Sequence, residues 1–109
     1  MKSPPRGEVW LVDLGLAAKI RPCLVLSVPI ENDERSLVTL VPHTTSMRES
    51  RFEAKLVVRA LKPGAFDAQG IITVPTVRLI RKLTYLTAEQ IPVIESCVSA
   101  WLGMAPSGL

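Results

Sequence analysis

One arginine and one threonine of this chain lie at the ends of apolar runs, where a rigid strand could hold both side chains at a fixed separation. Arg21 stands just before the apolar run 22–28, and Pro22 restrains it to an extended backbone. Thr44 follows Pro42, which we predict to end another apolar run. Arginine is permanently protonated and presents a planar fork of N–H donors, and a threonine hydroxyl can also donate a hydrogen bond. The two residue types therefore suggest a site that binds phosphate oxygens.

The same residues also have ordinary structural explanations. Arg21 would then be a surface residue paired with Asp13 or another acid. Thr44 and Thr45 would only form a turn after the strand, because threonine hydroxyls commonly hydrogen-bond to nearby backbone groups. Taken by themselves, the residues leave both interpretations open.

His43 is the only histidine of the chain and directly precedes Thr44. Histidine is the side chain whose unperturbed pKa lies nearest neutrality, so it is a natural donor or acceptor of protons in a reaction. Because side chains alternate between the two faces of a strand, a Thr44 that points into the site turns His43 away from it. We therefore treat His43 as a secondary candidate, with a structural role as its more common alternative.

The composition indicates one globular domain, spanning residues 1–109, with a mild excess of positive charge. Hydrophobic residues make up 48% of the 109 residues and charged residues 21%, which is typical of a folded domain with one core. Lys and Arg total 13 against 10 Asp and Glu, which gives a net charge of +3. This excess fits either an ordinary solvated surface or attraction to an anionic polymer. Basic residues concentrate in the middle of the chain and again at Arg78, Arg81 and Lys82, which have no acidic neighbour in the sequence.

The two cysteines, Cys23 and Cys97, lie in apolar runs, which predicts buried free thiols in a reducing, cytoplasmic compartment. Two cysteines and one histidine fall short of the four ligands of a structural zinc site, so we expect no metal site. The sequence shows neither a signal segment nor an uncharged apolar run of about 18 residues, so we expect no membrane span.

The hydrophobic pattern predicts several short strands. Alternating or continuous apolar residues bounded by turn residues place these strands at 7–14, 22–28, 37–41, 52–58, 70–74 and 78–83. Several short strands with basic turns, followed by one helix, indicate a mainly β fold in which a helix covers a small barrel.

The helix is predicted near the C-terminus. Thr87 and Gln90 have the spacing of a capping box, apolar residues then recur at helical spacing, and Gly103 ends the pattern. Pro92 falls early in this segment and removes a backbone donor, so we expect the regular helix to start a few residues late.

Three stretches, taken in order, resemble the PemK/MazF (Kid) family of toxins from toxin–antitoxin systems. They read RGEVWLVDL at 6–14, IRPCLVL at 20–26 and LVPHTTS at 40–46. In that family a GDVWLVDL-like opening leads to RPxLV and then to a strand ending in a P-x-T-S pattern. The resemblance covers roughly the whole chain and implies an SH3-like small barrel of the MazF/CcdB type with a C-terminal α-helix, usually in a homodimer.

The resemblance also implies a sequence-specific endoribonuclease that cleaves single-stranded RNA without a metal or other cofactor. Arg21 would be the catalytic arginine at the scissile phosphate and Thr44 the active threonine, with Thr45 and Ser46 in supporting positions. The 2′-hydroxyl of the RNA would attack the adjacent phosphorus and leave a 2′,3′-cyclic phosphate. A cognate antitoxin with an acidic, disordered segment would occupy the same groove. The basic residues taken as candidates for RNA contact are Lys19, Arg48, Arg51 and Arg78.

Two segments depart from the family pattern. Many members carry D/E-Q-x-R-T near residues 69–73, whereas here Gln69 takes the place of the acid and Ile72 the place of the arginine. Asp67 lies two residues before Gln69 and would share its face of a strand, so it is the candidate to replace the missing acid. The connection 15–20 is also shorter than the G-x-E-Q-x-G stretch of the family.

Two other functions fit the same small barrel. The first is a module that binds RNA or an antitoxin without cleaving anything, which the altered segment at Ile72 favours. The second is a CcdB-like topoisomerase poison, which Trp101 and Gly103 near the C-terminus fit only loosely and which would leave Arg21 and Thr44 without a role.

Overall fold

A computed structural model describes residues 3–15 and 19–104, which form seven strands and one α-helix. In chain order the elements are β1 (Glu8–Asp13), β2 (Ile20–Val25), β3 (Leu37–Thr44), β4 (Glu53–Lys55), β5 (Ala65–Asp67), β6 (Ile72–Pro75), β7 (Leu79–Tyr85) and α1 (Ile91–Trp101). Single 3-10 turns precede β6 and β7, at Ala68–Gly70 and Thr76–Arg78.

The strands form one antiparallel sheet in the order β4-β5-β3-β2-β1-β7, and β6 also pairs with β3. One edge of β3 pairs with β2, while its other edge pairs first with β6 and then with β5. The predicted architecture, a mainly β fold with one C-terminal helix, is confirmed.

Pro42 does not end β3, contrary to the prediction, and the strand continues to Thr44. The pairing of β3 with β6 ends at Leu40, and its pairing with β5 begins at His43. On this edge of β3, Pro42 therefore lies in the gap between β6 and β5. A backbone N–H at this position would have no strand to bind, so proline, which has no N–H, is tolerated there. Because the strand runs through Pro42, Thr44 lies on a strand and not in a loop.

The observed ends of several other strands differ from the predicted ones, in part because β4 and β5 are short. Residues 56–58 continue the alternation of polar and apolar residues, but they are not part of β4. The partner of β4 is β5, which has only three residues and leaves residues 56–58 unpaired. The strand β5 itself was not predicted, because three residues give too little alternation to recognise. Gly70 and Arg78, which we placed in strands, belong instead to the 3-10 turns.

The core consists mainly of valine and leucine, and it forms two clusters. In the first, Ile94 and Val98 of α1 pack with Val9, Leu24 and Phe66 from the sheet. The second cluster is made by residues of β1, β2, β3, β6 and β7. The helix thus buries its apolar stripe against one side of the sheet.

The helix starts late, as predicted. The backbone N–H of Thr87 donates to Oε1 of Gln90 at 3.0 Å, and the N–H of Gln90 donates to Oγ1 of Thr87 at 3.2 Å, which closes the capping box. The regular helix begins at Ile91, so Pro92 lies in its first turn, where the missing donor costs no helical hydrogen bond. Gly103, with φ of 70°, follows the last turn.

Gly64 lies where the segment before β5 crosses the end of β3. A Cβ built on Gly64 would overlap the carbonyl oxygen of Thr44 and lie 2.8 Å from Cε1 of His43. Backbone atoms of a paired strand cannot move aside cheaply, so glycine is required by this close approach.

We predict that Gly64→Ala lowers the free energy of unfolding by about 3 kcal/mol, because overpacking against backbone forces a shift of the whole strand end. The control is Gly103→Ala, where a Cβ would meet nothing within 4 Å and only the positive φ is unfavourable, at about 1 kcal/mol. Urea denaturation of both variants measures the difference. Equal losses would contradict the close approach at Gly64.

Candidate functional site

A surface pocket of about 400 Å³, the first pocket, lies where the ends of β2, β3 and β5 meet. It is lined by Leu14, Arg21, Pro42, Thr44, Ser46, Arg48, Glu53, Asp67, Gly70 and Ile72. The structure thus brings together Arg21, Thr44, Ser46, Arg48 and Asp67, which the sequence had singled out separately.

Strand register explains why Arg21 and Thr44 reach the same pocket. Cys23 of β2 is paired with Pro42 of β3, and Arg21 is still in the sheet, paired with Val12 of β1. The β2–β3 ladder ends at that pair, and extending its register by two residues sets Arg21 opposite Thr44. Two residues is one full repeat of a strand, so the side chains at these positions share a face.

The hydroxyl of Thr44 is oriented by its own backbone. Its Oγ1 accepts a hydrogen bond from the N–H of Ser46 at 3.0 Å. This is the local turn that a threonine after a strand commonly makes. Because the oxygen serves as acceptor there, the hydroxyl hydrogen can be donated to an anion in the pocket. The structural and the functional explanations of Thr44 are therefore compatible.

Glu53 is a pocket residue that the sequence reasoning missed. Its carboxylate accepts hydrogen bonds from the backbone N–H of Arg48, at 2.9 and 3.1 Å, and from that of Glu49, at 2.6 Å. Both oxygens hold the segment between β3 and β4 in place. A sequence signal existed, since Glu53 lies near the start of the strand predicted at 52–58, after a polar loop, but such residues are usually solvated.

Asp67 and Gln69 do not share a strand face, contrary to the expectation. The strand β5 ends at Asp67, whose Oδ1 accepts the N–H of Gln69 at 3.1 Å and starts the 3-10 turn. Asp67 lines the first pocket, whereas Gln69 is exposed and lies outside its lining. Ile72, at the position of the arginine in the family pattern, lines the pocket with an apolar side chain.

His43 faces away from the first pocket, as strand alternation predicts. Its side chain is only 4% exposed and meets the ring of Phe66 edge-on, with the ring centroids 5.0 Å apart. Nε2 is buried and has no hydrogen-bond partner among the described residues. Burial lowers the pKa of His43 below its ordinary value of 6.5, because imidazolium would lose its hydration.

A second pocket of about 340 Å³ lies beside the first. Arg21 borders both pockets, and the second is also lined by His43, Thr45 and Lys62. Thr45 is therefore separated from Thr44 and Ser46, which line the first pocket. Like successive residues on a strand, these side chains turn to alternate sides.

The other candidates for RNA contact lie outside both pockets. The guanidinium of Arg51 stacks on the ring of Phe52, 4.4 Å from its centroid, and Lys19 is exposed with φ of 66°. Arg78 forms an ion pair with Asp13, with the nitrogen and oxygen 3.6 Å apart.

Arg78 and Lys82 have no acidic neighbour in the sequence, but β1 brings acids to both of them across the sheet. Arg78 pairs with Asp13, and Lys82 pairs with Glu8 at 3.1 Å. Asp13, which the sequence offered as a partner for Arg21, is thus engaged with Arg78.

Both cysteines are free thiols, as predicted, although only Cys23 is fully buried and Cys97 is half-buried. Burial raises the pKa of the Cys23 thiol to about 12, against a smaller opposing effect of the Arg21 charge, so it stays protonated at neutral pH. Within the part of the chain that the structure describes, no three His, Cys, Asp or Glu side chains are grouped to hold a metal ion.

None of the helices found in residues 3–15 and 19–104 has the length and apolar character needed to cross a membrane.

Comparison with known proteins agrees with the resemblance seen in the sequence. The family of PemK-like, MazF-like toxins of type II toxin–antitoxin systems matches residues 5–102. Among solved structures, an endoribonuclease in complex with its cognate antitoxin from a mycobacterial species is 25% identical, with a TM-score of 0.81. The match covers 95% of this chain and 99% of that one.

Two further structures have the same fold. The Mycobacterium tuberculosis toxin MazF-mt6 is 25% identical with a TM-score of 0.78, and the match covers 91% of this chain and 99% of that one. MazF from Deinococcus radiodurans is also 25% identical with a TM-score of 0.78, over 93% of this chain and 97% of that one. The predicted fold class, the small barrel of MazF toxins with a C-terminal helix, is confirmed.

We predict that acid destabilises the protein through His43. Because folding lowers the pKa of His43, the unfolded chain binds more protons below pH 6.5. The free energy of unfolding should therefore decrease as the pH falls from 6.5 to below the pKa that His43 has in the folded protein. His43→Leu removes both the titration and the unpaired Nε2, so this loss should disappear. Urea denaturation between about pH 7.5 and about pH 5.5 measures it. An identical loss in both proteins would show that His43 is not its source.

Proposed function

This chain belongs to the PemK-like, MazF-like toxin family of type II toxin–antitoxin systems, and we propose that it is an endoribonuclease that cleaves single-stranded RNA. The observation that carries the proposal is that Arg21 and Thr44 line one surface pocket. On this proposal, the permanent cation of Arg21 and the oriented hydroxyl of Thr44 bind one phosphate group in that pocket. The endoribonuclease from a mycobacterial species, similar over nearly the whole of both chains, supports the same activity.

The reaction would be an internal transfer at one phosphodiester. The 2′-hydroxyl oxygen attacks the adjacent phosphorus, and the bond between phosphorus and the 5′ oxygen breaks. The 2′-hydroxyl gives up its proton, and the departing 5′ oxygen takes one up, so the products are a 2′,3′-cyclic phosphate and a 5′-hydroxyl. Arg21 stabilises the negative charge that builds on the phosphorane, and Thr44 donates to a non-bridging oxygen. Positioning and electrostatic stabilisation carry the reduction of the barrier, so the step is written without a metal.

Asp67 is the group best placed to accept the proton of the 2′-hydroxyl. Of the two carboxylates that line the first pocket, Glu53 uses both oxygens on backbone N–H groups. The described hydrogen bonds of Asp67 engage only Oδ1. A general base must have a lone pair within reach of the proton that it removes. His43 and Thr45 face the second pocket, and Gln69 lies outside the first, so they receive no role in the chemical step.

Ile72 favours a second candidate function, binding without cleavage. Its apolar side chain lines the first pocket at the position where the family pattern has an arginine, so the pocket has one cation fewer to stabilise charge. A chain of this kind could still bind RNA or an antitoxin through Arg21 and Arg48. Cleavage of RNA by the purified protein separates the two functions.

The partners follow from the family and its solved complexes. The mycobacterial endoribonuclease and MazF from D. radiodurans have each been solved with an antitoxin, so a cognate antitoxin is the expected partner here. An acidic, disordered segment would bind Arg21 and Arg48 of the first pocket, fold as it binds and exclude RNA. A homodimer acting on cytoplasmic RNA completes the proposal.

We predict that the purified protein cleaves mixed-sequence RNA in the presence of EDTA. Arg21→Ala should slow cleavage by about 10²–10³-fold, because one donor to the developing charge is lost. Thr44→Val, which keeps the shape but removes the hydroxyl, should act in the same direction. Arg35→Ala, an exposed arginine outside both pockets, is the matched control and should cleave like the unmodified protein.

Product analysis tests the route. A 2′-deoxy substitution at the cut site should abolish cleavage there, and the upstream product should carry a cyclic phosphate. If the unmodified protein binds RNA but never cuts it, the binding-only function is correct. RNA left intact together with trapped DNA breaks would indicate a topoisomerase poison.

We also predict that Asp67→Asn lowers the maximal rate by about 10²–10⁴-fold with little change in RNA binding, because only the proton acceptor is lost. Glu53→Gln is the comparison, and it should reduce stability by loosening the segment 46–53. Cleavage rates and RNA affinities of both variants are measured on one substrate. An Asp67→Asn variant that cleaves at the normal rate would remove Asp67 from the mechanism.

A further inference from the structure

We propose that the RNA track extends from the first pocket, through the second, to a stacking platform at Tyr85 that holds a nucleotide away from the cut. The inference rests on the proposed function, because it assigns a binding site for the flanking part of the same RNA. The ligand is single-stranded RNA, recognised by base stacking and phosphate contacts rather than by a fixed sequence.

Shared residues connect three pockets into one path. Arg21 borders the first and second pockets. Leu83 borders the second pocket and a third one of about 470 Å³. The third pocket lies between the end of β7 and the segment after β4, and its lining includes Val57, Arg59, Lys82 and Tyr85. The three pockets are therefore neighbours on one surface, and a strand bound at Arg21 would continue along them.

A bulge in β7 produces the junction at Leu83. Val9 of β1 is paired with Thr84, whereas the next residue, Trp10, is paired with Lys82. Leu83 is thus the extra residue, without a partner on β1, and its side chain is half-buried. A bulge re-aims a side chain from the regular alternation of a strand, and here it directs Leu83 between the two pockets.

The path is lined by positive charge. Lys62 lines the second pocket, and Arg59 and Lys82 line the third, while none of the described lining residues of either pocket is acidic. Lys82 is paired with Glu8 at 3.1 Å, but Arg59 and Lys62 have no carboxylate within ion-pair distance among the described residues. Their charges are available to phosphates of a bound strand.

Tyr85 ends the path with an aromatic surface. It is the only tyrosine of the chain, its side chain is 66% exposed, and Nζ of Lys82 lies 5.6 Å from the centre of its ring. An aromatic ring with a cation beside it is the arrangement on which proteins stack unpaired bases. The opposite wall is fixed, because Nε2 of Gln90 donates to the carbonyl oxygen of Val57 at 2.9 Å.

RNA fits these features better than a protein partner. An acidic peptide would also be attracted to Arg59 and Lys62, but it would gain little from the exposed ring of Tyr85. The path also starts at Arg21, where the proposed reaction fixes a phosphate. A base resting on Tyr85 then belongs to the same strand as the phosphate at Arg21.

The test compares one long and one short RNA that contain the same cut site, each blocked by a single 2′-deoxy substitution. Binding of labelled RNA is measured by fluorescence anisotropy. Tyr85→Ala should weaken binding of the long RNA roughly tenfold and leave the short one unchanged, whereas Tyr85→Phe should bind both normally. Because the side chain of Tyr85 is largely exposed, both variants should fold, which circular dichroism checks.

Charge is tested separately by salt dependence. For single-stranded RNA, loss of one phosphate contact reduces the slope of log affinity against log salt by roughly 0.7. Arg59→Gln should show this reduction with the long RNA, and Arg35→Gln, which makes the same charge change outside the three pockets, should not. On long RNA that can be cleaved, Tyr85→Ala and Arg59→Gln should each raise KM and leave kcat unchanged.

The outcomes separate this inference from the proposed function. If the unmodified protein cleaves RNA but Tyr85→Ala and Arg59→Gln bind the long RNA normally, the track is wrong and the nuclease stands. If the protein never cleaves but the two variants lose affinity as described, the track stands and the nuclease is wrong. Loss of antitoxin binding, or of the dimer, with RNA binding intact would overturn the track in favour of a protein interface.

Discussion

The pairing of β3 along both of its edges is the constraint on which the site depends. One edge is bound to β2, so that the register leads Arg21 to the side of Thr44. The other edge changes partner at Pro42, from β6 to β5, and this change brings Ile72 and Asp67 to the same pocket. A slip of one residue would turn each side chain to the opposite face of the strand. His43 would then face the pocket, and Thr44 would face the interior.

A tightly packed interior supports the end of β3. The ring of His43 lies against Phe66, and the backbone of Gly64 approaches both His43 and the carbonyl group of Thr44. The buried Nε2 of His43 has no partner among the described residues, and an unsatisfied buried polar atom costs stability, typically about 1–3 kcal/mol. What the arrangement provides is rigidity, because the hydroxyl in the pocket is carried by a strand that cannot easily shift. Groups held in this way need little reorganisation when charge develops on a bound phosphate.

Acidic and basic side chains have different tasks around the pocket. Glu53 holds the loop between β3 and β4, Asp13 binds Arg78 and Glu8 binds Lys82, so these acids are engaged in structure. Positive charge at Arg21, Lys62 and Arg59 instead follows the line of pockets. On the proposed function, one basic surface serves both partners, since RNA and an acidic antitoxin segment are both polyanions. Competition between them would be the means of neutralisation.

The sequence by itself determined the family, the mainly β architecture, the capping box of the helix and the residue types of the site. These are local features: motifs such as RPxLV, strand periodicity and the spacing of Thr87 and Gln90 are all written within a few neighbouring residues. Alternation along a single strand was also enough to separate His43 from Thr44.

Only the tertiary structure decided that β3 runs through Pro42, that Asp67 enters the pocket without Gln69, and that Asp13 binds Arg78. It alone placed Glu53 in the pocket and joined three pockets through Arg21 and Leu83. The physical reason is that these relations join residues far apart in the chain. They are set by the pairing of strands and by a bulge, and no window of neighbouring residues records either of them.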